Sequence, residues 1–206
     1  WAGANGHEVV TGEDVQQALD ERTQRANLAA EQSREAILEG TVFIATEGSV
    51  VGQVNGLGTY TIGEFSFGEP GRITARTFMG DDGVIHIERE TDMSDPSHDK
   101  GVLTLNAYLG GTYAQRRPLS LNASLTFEQS YDYIIGDSAA SSELYALLSS
   151  LSQIPIRQDI SVTGSVNQHG ETQPIGDANA KIEGLFDIAR ARGLTGAQGV
   201  NTPATT

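Results

Sequence analysis

The chain has 206 residues, a formal net charge of −14 and an isoelectric point of about 4.5. This acidic balance argues against nucleic acid or an anionic membrane surface as a partner, because both require basic patches. The sequence contains no cysteine, which excludes disulfides, thiolate catalysis and cysteine-ligated zinc. No apolar stretch approaches the roughly 20 residues that span a bilayer, so we expect a cytoplasmic protein without a membrane partner.

The first 40 residues are predicted to be mainly helical. Thr11 and Asp14 have the spacing of a capping box, with Thr11 at the N-cap and Asp14 at the third helical position. Apolar residues then recur at helical spacing as far as Gly40, a typical C-cap residue. Because a long helix with so few apolar residues often connects domains, we predict one linker helix here.

Residues 41–91 have the composition of β-strands separated by turns. The predicted strands are residues 41–46, 58–62, 72–78 and 84–89, and the predicted turns are residues 69–71 and 80–83. The strands are β-branched and aromatic or alternate between apolar and polar residues, and glycine or proline marks the turns. This part of the sequence therefore predicts an antiparallel meander.

The second half of the chain alternates between strand and helix patterns. We predict a loop at 93–99, a helix rather than a strand at 100–111, a strand at 119–127 with Leu119 on its apolar face, a helix at 139–151, a strand and its turn at 160–166, and a helix at 181–192. Strands that come first and are followed by strand–helix units predict the α+β fold class.

Ser138 is a candidate nucleophile because it stands in the sequence Gly-Asp-Ser-Ala at 136–139, between a strand-like segment and a predicted helix. On this segment alone, helix N-capping is the more common role for such a serine. The two roles are compatible, because a helix N-terminus offers N–H groups and a positive dipole end that suit an oxyanion.

Lys181 is one of only two lysines and precedes Ile182, near the apolar edge of a helix for which Asp177 is a suitable N-cap. The alternative interpretation is a solvated lysine that covers apolar surface with its stem. A buried lysine loses its charge readily, and a neutral lysine near Ser138 can accept its proton. Thr163, at the end of a predicted strand, usually caps a turn but can also hydrogen-bond such an amine.

The four histidines are His7, His86, His98 and His169, and their spacing does not match that of metal ligands. We therefore predict no metal site. His169 falls in a predicted hairpin turn at 167–170 and is interpreted as structural, although sequence order leaves a Ser–His–Asp triad open. The sequence contains no Walker A phosphate loop.

The stretch from about residue 52 to residue 200 resembles the proteolytic domain of Lon-like ATP-dependent proteases, in a bacterial branch of that family. The segments that carry the resemblance are residues 51–57, 71–76, 127–131, 136–139, 162–170, 174–176, 181–184 and 191–196. Their order matches the family, and so does the spacing of 43 residues between Ser138 and Lys181.

The resemblance implies a role for each residue of the candidate site. Ser138 corresponds to the nucleophile and Lys181 to the general base of a Ser–Lys dyad. Thr163 matches the threonine that contacts the lysine, and Asp137 matches an acidic residue beside the serine in some branches. The family usually has Pro-Ile-Gly-Gly before the lysine helix, whereas Asp177 replaces the second glycine here.

The resemblance also implies a domain organisation. Residues 1–40 correspond to the end of an AAA+ helical lid and a linker helix, and residues 41–206 to a proteolytic domain truncated at its C-terminus. Trp1 at the start fits a piece of a longer protein. ATP and Mg would be held by an ATPase module upstream, with no cofactor or metal in this chain.

The implied partners are unfolded or damaged protein substrates and further copies of the chain, in a hexameric ring. Two alternatives remain open from the sequence. The first is a catalytically silent fragment in which Lys181 does not reach Ser138. The second is an acidic binding or assembly module that has the same fold and no chemistry.

Overall fold

The computed structural model describes residues 1–63, 65–118 and 120–204. The helices are α1 (Gly12–Ala26), α2 (Leu28–Glu39), α3 (Ile87–Glu90), α4 (Pro96–Tyr113), α5 (Ala140–Ser152) and α6 (Ala178–Arg192). The strands are β1 (Ser49–Val50), β2 (Gln53–Ile62), β3 (Phe65–Phe78), β4 (Gly83–His86), β5 (Asn122–Glu128), β6 (Ile156–Arg157), β7 (Ile160–Val162), β8 (Ser165–Val166), β9 (Thr172–Gln173) and β10 (Gly199–Asn201). The fold belongs to the α+β class.

The main sheet has the strand order β10-β7-β2-β3-β5-β4 in the part of the chain that the structure describes. The long hairpin β2–β3 and the pair β3–β5 are antiparallel, whereas β10–β7, β7–β2 and β4–β5 are parallel. Two short antiparallel pairs, β1–β6 and β8–β9, lie outside this sheet. The sheet is therefore mixed.

The core forms where α4 and α5 pack on the main sheet. Ile73 of β3, Leu125 of β5, Leu105 of α4 and Leu147 of α5 are fully buried in one cluster. The strand residues alternate with more exposed ones, as expected for a sheet with one face on the core. A smaller cluster, which includes Ile188, packs α6 against the end of α2.

The N-terminal helical segment is interrupted, so the prediction of a single continuous helix is wrong. The capping box of Thr11 and Asp14 and the left-handed C-cap at Gly40 are confirmed. Asn27 separates α1 from α2 with φ −87° and ψ 5°, and its side chain donates to Glu31. Asparagine favours such local hydrogen bonds over regular helix geometry.

The predicted strand at 41–46 is absent from this region of the structure. The N–H groups of Thr41 and Val42 donate to the carbonyl of Ala36 and so complete the end of α2, and the Phe43 N–H donates to the Gln129 side chain. These donors are therefore not free to form a strand ladder.

The predicted turn at 69–71 is also wrong, because β3 continues straight through it. Pro70 pairs with Leu57 in the ladder with β2. The pairing of β3 with β5 begins only at Arg72. Pro70 thus lies where β3 has one neighbour, a position at which a missing N–H is tolerated.

The predicted meander ends after its first hairpin. The turn at 80–83 is confirmed, but β4 stops at His86 and pairs in parallel with β5 instead of returning along β3. The backbone then forms the short helix α3, so the predicted strand at 84–89 is only partly right.

The remaining predictions are largely confirmed, with shifted boundaries. Helix α4 begins at Pro96, capped by Asp95, inside the segment that was expected to be a loop. The strand predicted at 119–127 corresponds to β5, and Leu119 lies outside the described residues. The helices predicted at 139–151 and 181–192 and the hairpin turn at 167–170 are present.

Candidate active site

Ser138 lies at the end of a loop, residues 129–139, that we call the Ser138 loop. The loop connects β5 to α5, so the strand expected directly before Ser138 is not there. Ala139 occupies the N-cap position of α5, and the interpretation of Ser138 as the N-cap is therefore wrong. The carbonyl of Ser138 accepts from the Gly164 N–H at 2.8 Å and from Thr163 Oγ1 at 3.3 Å. These contacts fix the serine against the end of β7.

Lys181 lies in the first turn of α6, and its side chain points inward. Only 2% of the residue is exposed, so it is not a solvated lysine. Its Nζ donates to Ser138 Oγ at 3.0 Å and to Thr163 Oγ1 at 3.4 Å. The structure thus brings together Ser138, Lys181 and Thr163, which the sequence resemblance had singled out.

The environment of Lys181 favours its neutral form. Burial of the amine lowers its pKa below the ordinary value of 10.5, and the charge of Asp177 opposes this effect in part. Desolvation acts in this direction because it penalises the ammonium form. A lysine amine with a lowered pKa is suited to accept a proton from a neighbouring hydroxyl.

The position of Lys181 depends on a close approach between α6 and β3. A Cβ added to Gly68 of β3 would lie 2.1 Å from the carbonyl oxygen of Ala180 and 2.5 Å from the Cα of Lys181. Such distances are far inside van der Waals contact, so a side chain at Gly68 would displace the start of α6. The absence of a side chain at this residue is what lets Lys181 reach the serine.

The two aspartates near the site flank the dyad residues in the chain, and the N-cap position predicted for Asp177 is confirmed. Asp137 Oδ2 accepts a hydrogen bond from Ser165 Oγ at 2.8 Å, which ties the Ser138 loop to β8. Asp177 occupies the N-cap position of α6, but its side chain makes no capping hydrogen bond and its φ is 58°. This left-handed conformation explains why glycine suits the equivalent position in the family pattern.

A second group of polar side chains was missed by the sequence analysis. His86, His98 and Glu143 form a buried cluster in which His86 Nε2 lies 2.8 Å from Glu143 Oε1. Burial lowers the pKa of His86, but hydrogen bonding to Glu143 and nearby carboxylates reverse this and raise it overall. The three residues come from β4, α4 and α5, so no local spacing reveals the cluster.

Among the described helices, none combines the length and the apolar composition that crossing a membrane requires. No protein-family profile matches the chain.

The chain is similar to several curated Lon-type proteins. It is 41% identical to a Lon protease homolog of Escherichia coli strain K12 over 94% of this chain and 33% of that protein. It is 39% identical to a Lon protease homolog of Haemophilus influenzae, over 94% of this chain and 32% of the relative. The archaeal Lon protease of Pyrococcus abyssi is 33% identical over 88% of this chain and 18% of its own length.

The chain thus spans about a third of the length of the first two relatives. The similarity to the Escherichia coli protein extends over 198 residues, and so includes the segments around Ser138 and Lys181. This chain belongs to the Lon-like protease family.

Proposed function

We propose that this chain is the proteolytic domain of an ATP-dependent Lon-like protease and that it hydrolyses peptide bonds with a Ser138–Lys181 dyad. The observation that supports this most directly is the 3.0 Å contact between Lys181 Nζ and Ser138 Oγ, made by a lysine that is almost completely buried. A nucleophile and a base within hydrogen-bonding distance are the minimum for covalent catalysis of this kind.

In the proposed mechanism, neutral Lys181 accepts the hydroxyl proton as Ser138 Oγ attacks the substrate carbonyl carbon. The protonated amine then returns the proton to the leaving nitrogen, and an acyl-enzyme forms on Ser138. Water, deprotonated by Lys181, hydrolyses this ester. Thr163 Oγ1 accepts from the lysine amine and keeps it oriented toward the serine.

The oxyanion requires backbone donors near Ser138. The N–H groups of Ala140 and Ser141 already donate to the carbonyls of Asp137 and Gly164. The N–H groups of Ser138 and Ala139 are therefore the candidates for the oxyanion hole.

The proposal extends to the whole protein. We infer that residues 1–40 belong to the end of an AAA+ lid and a linker, that residues 41–206 form the proteolytic domain, and that an ATPase elsewhere in the longer protein binds ATP and Mg.

The substrates would be unfolded or damaged proteins delivered inside a homohexameric ring. The net charge of −14 supports the inference that the protein has no nucleic-acid partner. A cytoplasmic location stays a prediction.

Cleavage of unfolded casein by the purified chain, and by the full-length protein with ATP, tests the proposal. Ser138→Ala and Lys181→Ala should each reduce the rate by at least about 10²–10⁴-fold, the usual contribution of a positioned acid or base. Lys100→Ala is the matched control, because Lys100 is the other lysine and is exposed. Circular dichroism establishes that each variant is folded.

A fluorophosphonate probe separates the proposal from its alternatives. Labelling at Ser138 that is lost in Lys181→Ala supports the dyad. The catalytically silent form would be folded but neither labelled nor active. This result would have to hold both for the isolated chain and for the full-length protein with ATP. Ring assembly and partner binding that persist without any activity would instead favour an assembly module.

A further inference from the structure

A buried cluster of titratable side chains lies directly behind the Ser138 loop. His86 ends β4, His98 is in the first turn of α4, and Glu143 is in the first turn of α5. Each of the three residues is only 1% exposed. The aromatic ring of Phe127 packs beside both imidazoles, with centroid distances of 6.0 and 5.8 Å. The site is thus shielded from water and plays no part in the mechanism proposed above.

Three potential ligand atoms converge in this cluster. His86 Nε2 lies 2.8 Å from Glu143 Oε1, and His98 Nε2 lies 3.3 Å from His86 Nε2 and 3.4 Å from Glu143 Oε1. In a tetrahedral zinc site with bonds of about 2.0–2.1 Å, the ligand atoms are about 3.3 Å apart. A point about 2.05 Å from all three atoms exists roughly 0.9 Å out of their plane. The side chains therefore need little movement to hold a metal ion.

The outer nitrogens of the two imidazoles have neighbours that leave the inner nitrogens available. His98 Nδ1 lies 3.2 Å from the carbonyl oxygen of Gly136. His86 Nδ1 lies 3.2 Å from Glu88 Oε2, although this pair lacks hydrogen-bond geometry. A proton on His98 Nδ1 suits the Gly136 carbonyl and leaves a lone pair on His98 Nε2. At His86, the metal ion would take the place of the Nε2 hydrogen bond to Glu143. A carbonyl or carboxylate behind each histidine is the usual arrangement in metal sites.

The charge of the buried groups suits a divalent cation. Glu143 and Glu88 are both buried, and Glu88 Oε1 accepts hydrogen bonds from Thr126 and Phe127. A divalent ion bound by neutral imidazoles would balance the two carboxylates, whose formal charges sum to −2. Uncompensated charge is costly in such an environment.

We propose that His86, His98 and Glu143 bind one Zn²⁺ ion, with one enclosed water molecule as the fourth ligand, and that this ion fastens the Ser138 loop to the sheet. Two imidazoles and one carboxylate, with a water in the fourth position, form one of the known donor sets for zinc. The ion would be connected to the loop through His98, whose Nδ1 contacts the carbonyl of Gly136, two residues before Ser138. The proposal does not depend on the proposed proteolytic activity.

Metal binding is tested with the untagged protein, stripped with a chelator and then dialysed against Zn²⁺. Elemental analysis should find one zinc per chain, and Co²⁺ in place of zinc should give the strong visible absorption of a tetrahedral site. The variants His98→Gln and Glu143→Gln should weaken zinc binding at least about 100-fold. Hydrogen exchange in residues 129–139 should slow when zinc is added to the wild type and should not change in these variants.

The chain offers a matched control for this experiment. His7 and His169 are exposed, so the double variant His7→Gln/His169→Gln retains only the two buried histidines and should bind zinc like the wild type. The Co²⁺ spectrum of the wild type remains decisive even if a cluster variant does not fold. A wild type that binds no zinc, or zinc binding that is lost in the double variant, would overturn the proposal and leave a proton-sharing ion pair in the cluster.

Discussion

A Cβ on Gly184 would lie only 1.9 Å from the carbonyl oxygen of Gly68, so the backbones of α6 and β3 are in direct contact at this point. Gly184 is three residues after Lys181 and therefore lies on the same side of α6. The distance between the lysine and Ser138 consequently depends on how closely the helix can approach the strand.

Gly184→Ala should push α6 away from β3 and carry Lys181 away from Ser138. The added methyl group meets backbone atoms that cannot rotate aside, and overpacking of this kind costs about 1–3 kcal/mol of unfolding free energy. A displacement of about 1 Å at a reacting group reduces rates by about 10²-fold. We expect such a decrease in the rate of fluorophosphonate labelling, with the circular dichroism spectrum retained.

Gly111→Ala in α4 is the control for this substitution. A Cβ at Gly111 meets no atom within 4 Å, so the change should stabilise the helix by about 0.5–1 kcal/mol and leave labelling unchanged. Wild-type labelling of the Gly184→Ala variant would contradict the dependence of the dyad on this contact.

Thr163 should contribute to the orientation of the lysine amine. The variant Thr163→Val keeps the shape of the side chain but removes the oxygen that accepts from Lys181 Nζ at 3.4 Å. One neutral hydrogen bond is worth about 1 kcal/mol, or roughly fivefold in rate. We expect a decrease in kcat of this size at saturating substrate. Thr163→Ser, which restores the hydroxyl, should recover most of it; equal rates for both variants would contradict the orienting role.

Proteolysis should increase with pH and reach a plateau once the amine of Lys181 is neutral. Burial lowers the pKa of Lys181 from 10.5, and only the neutral amine can accept the serine proton. The rising limb of kcat/KM against pH should therefore have its midpoint below 10.5 and disappear with the activity in Lys181→Ala. A rate that falls with rising pH, or a rising limb that survives in Lys181→Ala, would contradict Lys181 as the general base.

The lowered pKa of Lys181 also predicts how the stability of the protein depends on pH. Because the folded state holds the Lys181 proton less tightly than the unfolded state, the cost of burying the ammonium is greatest below the folded pKa. It vanishes as the pH passes 10.5, where the lysine is neutral in both states. The difference in unfolding free energy between Lys181→Met and the wild type should thus fall with rising pH, as measured by denaturant unfolding at several pH values.

The sequence was sufficient to single out Ser138 and Lys181 as candidates, because they lie in two short segments whose order and spacing match a known family. It could not give the distance between Ser138 and Lys181. That distance depends on contacts between glycines of β3 and α6 that are 116 residues apart, at Gly68 and Gly184. Local patterns carry no information about such a close approach.

The errors in the predicted fold have a similar origin. Pro70 and its neighbours resemble a turn locally, but the ladder of β3 with β2 extends over ten residue pairs and overrides the local preference. The parallel pairing of β4 with β5 places His86 near His98, and α5 adds Glu143. Strand pairing decides both outcomes, and neither a local turn pattern nor a search for local ligand spacing detects it.

Asp177→Asn should shift the pH dependence of activity toward lower pH. The charge of Asp177 raises the pKa of Lys181 and so opposes the effect of burial. Asparagine removes the charge and tolerates the left-handed conformation at φ 58° as well as aspartate does. The midpoint of the rising limb should therefore move down in pH. Because Asp177 is exposed, the shift should shrink at high ionic strength. Asp187→Asn, on the same helix, is the control and should leave the midpoint unchanged; an equal shift in both variants would mean that the net charge of α6, and not Asp177, tunes the lysine.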